Sequence, residues 1–543
     1  MDREQTLARF KKAQGEGIHI WNDWANKMLE ERKRLEEAGE WEVNADGEPA
    51  NQISEDWFSK TEAIFSENNS GGSLNNPANF NDYIFPGEVQ FRYFEFKQEA
   101  FFSGTIFHQR VNFDYASFKG LTLFTDTTFI KWANFENATF HDEVAFHVKD
   151  FKGVTIFNNV TFEEDVNFET SFSDTVSFKE ANFKKSATFN NSKFYERTIF
   201  RNALFEGLTK FQNVKFYCIA DFQNTKFNET TYFHEAKFSE KSMFDSAHFK
   251  RVAVFDEAKF IKNASFTTTL FESYTSFKKT IFKRNANLNA IQSGSAFNLE
   301  KTTFEKEVPD FIQANFKEAP RLDNIEIGDE VSPGNFLNSI TTFIHPDIKA
   351  RYQALKRLAV QAHDHENEQR FWAGELRSDR SLRTEKGGWN LRPLASAFWW
   401  GNIAYGCVSD YGRSIVRPLI SLFILLCIMT NIHLLVHNSN KDNQVSDLRN
   451  KTHISKQSDL IDCNIRSSAF RVAAKNGAIG LLQNPAKRSI FERDYTCLYG
   501  TYNDNKTPKI PNSIFWIEIF HTLFSAILIF LTLLGIRNNF KLK

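Results

Sequence analysis

Residues 111–140 read VNFDYASFKGLTLFTDTTFIKWANFENATF, with phenylalanine at 113, 118, 124, 129, 135 and 140. The steps alternate five and six. The same beat runs from Phe80 to Phe282 through 38 of the chain's 59 phenylalanines, and its one exception is the four-residue step from Phe168 to Phe172. A second column stands two positions before these phenylalanines and holds small residues almost throughout, as at Val89, Ala100, Val111, Ala133, Ala181, Ala203 and Ala253. Tyr83, Phe94 and Lys149 are its misfits. Asn, Asp, Glu, Lys and Thr fill the spaces between, which explains how a chain so rich in Phe keeps a mean hydropathy of −0.43.

A repeat is sought before any element is assigned, because missing one misreads the whole fold. On a helix a five-residue step turns the chain by about 140°, which puts successive phenylalanines on nearly opposite sides. In extended chain the side chains at i−2 and i point the same way. Each unit therefore buries one small and one large residue and shows the others to water. Phe135, Phe140, Phe200, Phe205, Phe255 and Phe260 are expected core residues.

The unit small-x-Phe-x-x, seen as ANF at Ala133–Phe135 and again at Ala181–Phe183, resembles that of the pentapeptide-repeat family, with Phe in the central position. The resemblance covers roughly residues 78–320. It implies a mainly β domain, a right-handed quadrilateral β-helix with one unit per side. Thirty-eight sides predict about 9.5 coils and a rod about 45 Å long at ~4.8 Å per coil. The extra residue in every second unit is expected as a longer turn or bulge on two opposite sides. Past Phe282 the beat decays through Leu288, Phe297, Phe304 and Phe316, which reads as an atypical closing turn. Residues 1–77 read as an N-terminal helical cap, with a helix over 18–37 that packs through Trp21 and Trp24, and 78–330 as the β-helix.

The period then changes. Residues 331–390 read as an amphipathic linker, with one long helix from about 346 to 384 carrying Tyr352, Leu355, Leu358 and Ala359 on one side. Its HDHENE run puts His363 and Glu366 on one helical side, but lacks a second His at i+4, so a solvated charged surface is expected there and no metal or cofactor. Residues 391–418 read as a membrane-interface segment through Phe398, Trp399, Trp400, Tyr405 and Tyr411. Two uncharged or nearly uncharged runs follow, 419–436 and 514–536, each long enough to cross a bilayer. Residues 437–513 form the connecting extracytoplasmic loop and 537–543 a basic tail. The N-terminus shows no apolar run of a cleaved signal.

Arg377, Arg380, Arg383, Arg392, Arg413 and Arg417 before the first run, and Arg537, Lys541 and Lys543 after the second, predict cytoplasmic N- and C-termini at a bacterial-type inner membrane. The loop's own twelve Lys/Arg oppose this, but it is longer than the roughly 60 residues over which the rule operates. In an oxidising compartment Cys463 and Cys497 in that loop are expected to pair. The C-terminal half also resembles membrane-anchored members of the same family in ALKRLAVQAHDHENE (354–368), SDYGRSIVRPL (409–419), DYTCLYG (494–500) and GIRNNFKLK (535–543).

No GxGxxG, GxxxxGK[ST], HExxH or GxSxG stands in a fitting context, so a non-enzymatic protein is expected. The leading expectation is a scaffold tethered to the lipid bilayer, with a protein partner on the β-helix. A second is an oligomeric, channel-like effector in which Asn431, His433, Glu518 and His521 meet inside a homo-oligomer of the two spans. A third, DNA mimicry against a topoisomerase, is known from soluble relatives with acidic rods. Residues 80–330 carry 35 acids against 30 bases, too weak a field for a duplex mimic, and no nucleic-acid partner is expected.

Overall fold

The computed structural model describes residues 2–45, 47–66, 71–328, 347–380, 393, 396–448, 464–476, 488–499 and 510–541. The chain divides into two compact units, Met1–Glu330 with Pro346–Glu368, and Val331–His345 with Gln369–Lys543.

In the first unit, the phenylalanine beat becomes a four-sided parallel β-solenoid. Each strand pairs in parallel with its counterpart one coil further along, four strands on except at the last pairing of the two longer sheets, giving four sheets of 11, 12, 11 and 12 strands. We number these faces by their first strands: face 1 from Ala63–Ile64, face 2 from Gly72–Leu74, face 3 from Ala78–Asn79 and face 4 from Ile84–Phe85. Register is strict: Phe118 lies opposite Phe140, and Phe194 opposite Phe216. The twelve-stranded sheets span about 53 Å at ~4.8 Å per strand, longer than the rod expected from the phenylalanines alone. The difference lies at the ends. Ala63–Phe65 and Gly72–Leu74 already pair into the sheets before residue 78. After Phe282, Leu288, Ile291, Phe297, Leu299, Phe304, Phe311 and Ile327 keep filling the core as further coils rather than one closing turn.

Six named core residues, Phe135, Phe140, Phe200, Phe205, Phe255 and Phe260, are all buried. Rings in one column lie nearly parallel, as Phe178 and Phe200 do at 4.8 Å and 2°. Rings on opposite faces meet edge to face, as Phe189 of face 3 and Phe200 of face 1 do at 5.4 Å and 86°. Both arrangements suit the ring quadrupole.

The extra residue of every second unit sits at two opposite corners rather than along the sides: three residues, 206–208, link Phe205 to Thr209, where two link Phe200 to Ala203. At the two shorter corners the chain makes a four-residue turn, closed for example by the Ala203 N–H on the Phe200 carbonyl at 3.0 Å, and its third residue is left-handed. From Glu180 to Lys301 such a residue recurs every eleven positions, through Asn191, Asn202, Asn213, Asn224, Glu235, Ser246, Glu257, Thr268, Lys279 and Ala290, with φ between 54° and 62°. Asn is frequent because it tolerates this conformation better than other side chains. Two corners, near Val148 and Thr170, lack the left-handed residue. The Thr170 corner is the four-residue step itself, with one residue fewer in its turn, while the Val148 corner of the preceding coil keeps a five-residue step and buries Val148 in place of the misfit Lys149.

Helices close both ends. α1 (Arg3–Glu16), α2 (His19–Glu37) and α3 (Gln52–Thr61) form the first cap. Phe10 stacks on Phe80 at 4.8 Å, and the Trp21 indole N–H donates to the Ile84 carbonyl at 2.9 Å. The Asn22 amide continues the ladder, accepting from Ile84 N–H and donating to the Asp82 carbonyl. At the other end α4 (Asp347–Gln361) buries Ile348, Tyr352, Leu355 and Leu358. Arg351 donates to the Val308 carbonyl at 2.8 Å and Gln361 to that of Phe316 at 2.9 Å. The segment expected as a linker is therefore a cap, because the last coil's carbonyls need donors.

The single long helix expected over 346–384 is broken. His363 takes a left-handed φ of 53°, and the His363 and Asp364 N–H groups bond the Val360 and Ala359 carbonyls, a paired closure of the helix end. Asp364 then caps the N-terminus of α5 (His365–Ser378) by accepting from the Asn367 N–H.

The second unit contains α6 (Ala397–Ser409), α7 (Val416–Leu448), α8 (Ile465–Asn476), α9 (Arg488–Tyr499) and α10 (Asn512–Lys541). The apolar helices outrun the expected spans of 419–436 and 514–536; Val416–Ser439 and Asn512–Asn538 are long and apolar enough to cross a membrane.

Candidate functional site

Helices α7 and α10 pack side by side as a hairpin. Gly535 sits against the Ser414 carbonyl, where a Cβ would come within 3.0 Å, and Asn538 donates to the Gly412 carbonyl at 3.1 Å. At the opposite end of the pair, α8 and α9 cover it with Ala469, Val472, Tyr495, Leu498 and Tyr499 around Ile514. Arg471 holds the buried Asp494 at 2.7 and 3.0 Å, which fixes α8 to α9.

The polar residues of the two apolar helices collect beneath this cover. His433 of α7 is fully buried and bonds the Tyr499 hydroxyl through Nδ1, while its Nε2 lies 3.8 Å from the Glu518 carboxylate. Tyr495 donates its hydroxyl proton to that carboxylate at 2.7 Å. His521, one helical turn beyond Glu518, is 2% exposed, and Ser525 one turn further is 1% exposed. His437 bonds the Leu498 carbonyl at 2.7 Å. Asn431 is not part of this group: it is exposed and donates to the Cys427 carbonyl of its own helix at 2.8 Å. Sequence reasoning missed Tyr495 and Tyr499, whose four-residue spacing on DYTCLYG was the available signal. Burial, and then the Glu518 charge, push the Tyr499 phenol above its ordinary value, which keeps it neutral and able to donate. The group can hold or pass a proton among a carboxylate, an imidazole and two phenols. Cys497 on α9 is disulfide-bonded, and Cys463 lies outside the described residues.

A second polar knot lies where α5 meets α6. Arg377 and Arg380, read from the sequence as charges that set membrane orientation, are 3% and 4% exposed. Arg377 pairs with Asp410 at 3.0 Å, and Arg380 bonds the Tyr411 hydroxyl, which in turn donates to Asn402 at 2.6 Å. Burial pushes the Tyr411 phenol up to about 12, against the opposing pull of the two guanidinium groups. The expected aromatic belt divides accordingly: Trp399 and Tyr411 are buried, while Phe398 and Trp400 are exposed. Among the described residues no group of three His, Cys, Asp or Glu side chains is placed to hold a metal ion.

On the solenoid, the outward positions form ladders along each face. Face 2 carries a hydrogen-bonded one, Lys119–His141–Glu163–Lys184, each step 2.8 Å. Face 1 carries Arg201 on the buried Asp221 at 2.9 Å and Gln223 on Asp245 at 3.0 Å. Comparison with known families decides what these ladders are built on: residues 102–147 and 168–215 match the family described as pentapeptide repeats (9 copies). The solenoid is a pentapeptide-repeat domain. Both matched stretches of pentapeptide repeats lie inside it, and the gap between them begins at the irregular corner of Val148. No curated protein and no solved structure matches the chain.

Proposed function

We propose that this chain is a non-enzymatic, membrane-anchored scaffold: its two apolar helices sit in a bacterial-type inner membrane with both termini cytoplasmic, and its pentapeptide-repeat rod presents flat polar faces to a protein partner. The exposed side of the helix hairpin carries the reading. Phe423 and Leu435 on α7 and Trp516, Phe524 and Phe530 on α10 are each between 57% and 66% exposed, a continuous apolar surface that water does not tolerate and lipid does. The rod adds rigidity, a stacked core of rings with outward side chains fixed at strand spacing. Such regular ladders suit the recognition of a surface better than the enclosure of a small substrate.

The test is affinity capture from solubilised membranes with the intact chain and with a chain lacking residues 63–328. Proteins captured only by the intact chain are expected. The same set captured by both would overturn the scaffold role, and full release of the intact chain by alkaline carbonate would overturn the anchor.

A further inference from the structure

The outward ladder of face 4 differs from that of face 2, on the opposite side of the rod. In four successive coils its central position is lysine, with Lys193 opposite Lys215, Lys215 opposite Lys237 and Lys237 opposite Lys259. All four are exposed, each beside a buried Phe of the core. Like charges directly opposite one another on a sheet are destabilising, and face 2 relieves this by placing Glu163 between His141 and Lys184. Face 4 does not. Among the described residues none of the four lysines has an acidic partner within ion-pair distance: Glu257 pairs with Lys279 at 2.8 Å, though its carboxylate also feels the Lys259 charge, and Glu235 lies 3.4 Å from His234. The row is straight and about 14 Å long at ~4.8 Å per step. Next to it, Tyr195 and Tyr217, 43% and 37% exposed, stack their rings at 4.8 Å.

We propose that face 4 is a docking surface for an anionic phospholipid bilayer, onto which the rod lies flat. Lysine suits this role because a compact charge on a long flexible stem reaches headgroups without needing fixed geometry, and tyrosine favours the membrane–water boundary. A flat, rigid row of like charges also matches a surface of delocalised negative charge better than a shaped pocket. The proposal rests on the membrane-anchored reading, since an anchored chain holds its rod near the anionic cytoplasmic leaflet. Each lysine close to such a surface strengthens attachment about fivefold, and the effect decays within a Debye length and with salt.

The experiment is lysine acylation, read by mass spectrometry, on the full chain in nanodiscs of phosphatidylcholine alone or with phosphatidylserine. Acylation of Lys193, Lys215, Lys237 and Lys259 should slow at least about fivefold with phosphatidylserine and recover in high salt, while Lys119 and Lys184 on face 2 stay unchanged. The double variant Lys215→Glu/Lys237→Glu should lose the protection at Lys193 and Lys259. Equal rates in both nanodiscs overturn the proposal. So does protection by added polyglutamate without any effect of phosphatidylserine, which would assign the row to an acidic protein. If the chain fails to enter phosphatidylcholine nanodiscs, the anchor reading fails, and flotation with phosphatidylserine vesicles then decides the face by itself: salt-sensitive binding lost in the double variant supports it, and no binding overturns it.

Discussion

Replacing Phe200 with alanine probes the core at its most regular point. The ring is fully buried. It stacks on Phe178 at 4.8 Å and Phe222 at 4.9 Å, meets Phe189, Phe211 and Phe194 edge to face at 5.4, 5.5 and 6.4 Å, and tilts against Phe205 at 6.0 Å. A buried Phe→Ala change costs about 3–5 kcal/mol. Here the upper part of that range applies, because the cavity is walled by strands hydrogen-bonded above and below, such as the Phe200 N–H on the Asp221 carbonyl at 2.7 Å, and so cannot collapse. About 4 kcal/mol is expected. Phe304, with a parallel ring on only one side, Phe282 at 5.1 Å, and the last coil beyond it, should cost about 3 kcal/mol by the same reasoning. Hydrogen exchange of the strand amides around each site measures this locally: 4 kcal/mol corresponds to exchange about a thousandfold faster. A loss below about 1 kcal/mol at Phe200, or one no larger than at Phe304, would refute stacked columns as the source of the rod's stability.

The left-handed corners predict gains as well as losses. Lys301→Gly, at φ 58°, should stabilise the solenoid by about 0.5–1 kcal/mol in a urea titration, the relief of a side chain in this conformation less the entropy Gly adds to the unfolded chain. Asn213→Val, at φ 57°, should cost more than 1 kcal/mol by roughly the same reasoning, and an unchanged midpoint would show the corner to be unstrained. Tyr411 gives a pH dependence. Its phenol is held neutral in the folded chain, so its contribution to stability is complete below pH ~10 and fades as pH rises from there through about 12. Phenolate absorbance should show wild type and Tyr411→Phe ionising alike up to roughly pH 11 and parting above it; parting near pH 10 would mean the phenol is solvated.

The sequence by itself determined the solenoid, because a ring that must point inward once per side fixes where every side begins. Phe135, Phe200 and Phe260 were legible as core for that reason. It also determined the two apolar helices, whose length and lack of charge are properties of the chain alone. The tertiary structure decided what no period records. The left-handed corners, one every eleven residues, are not recorded in the phenylalanine spacing, because they fall in its five-residue steps and their conformation is set by hydrogen bonds to the next coil. The helix after the rod became a cap because the carbonyls it satisfies, Val308 and Phe316, belong to coils some forty residues earlier. The polar group at Glu518 gained Tyr495 and Tyr499 and lost Asn431 because membership depends on which helix covers which. The four lysines of face 4 lie 22 residues apart and have no sequence neighbourhood in common. Only parallel stacking brings them into one row, where among the described residues no acid stands within ion-pair distance of them.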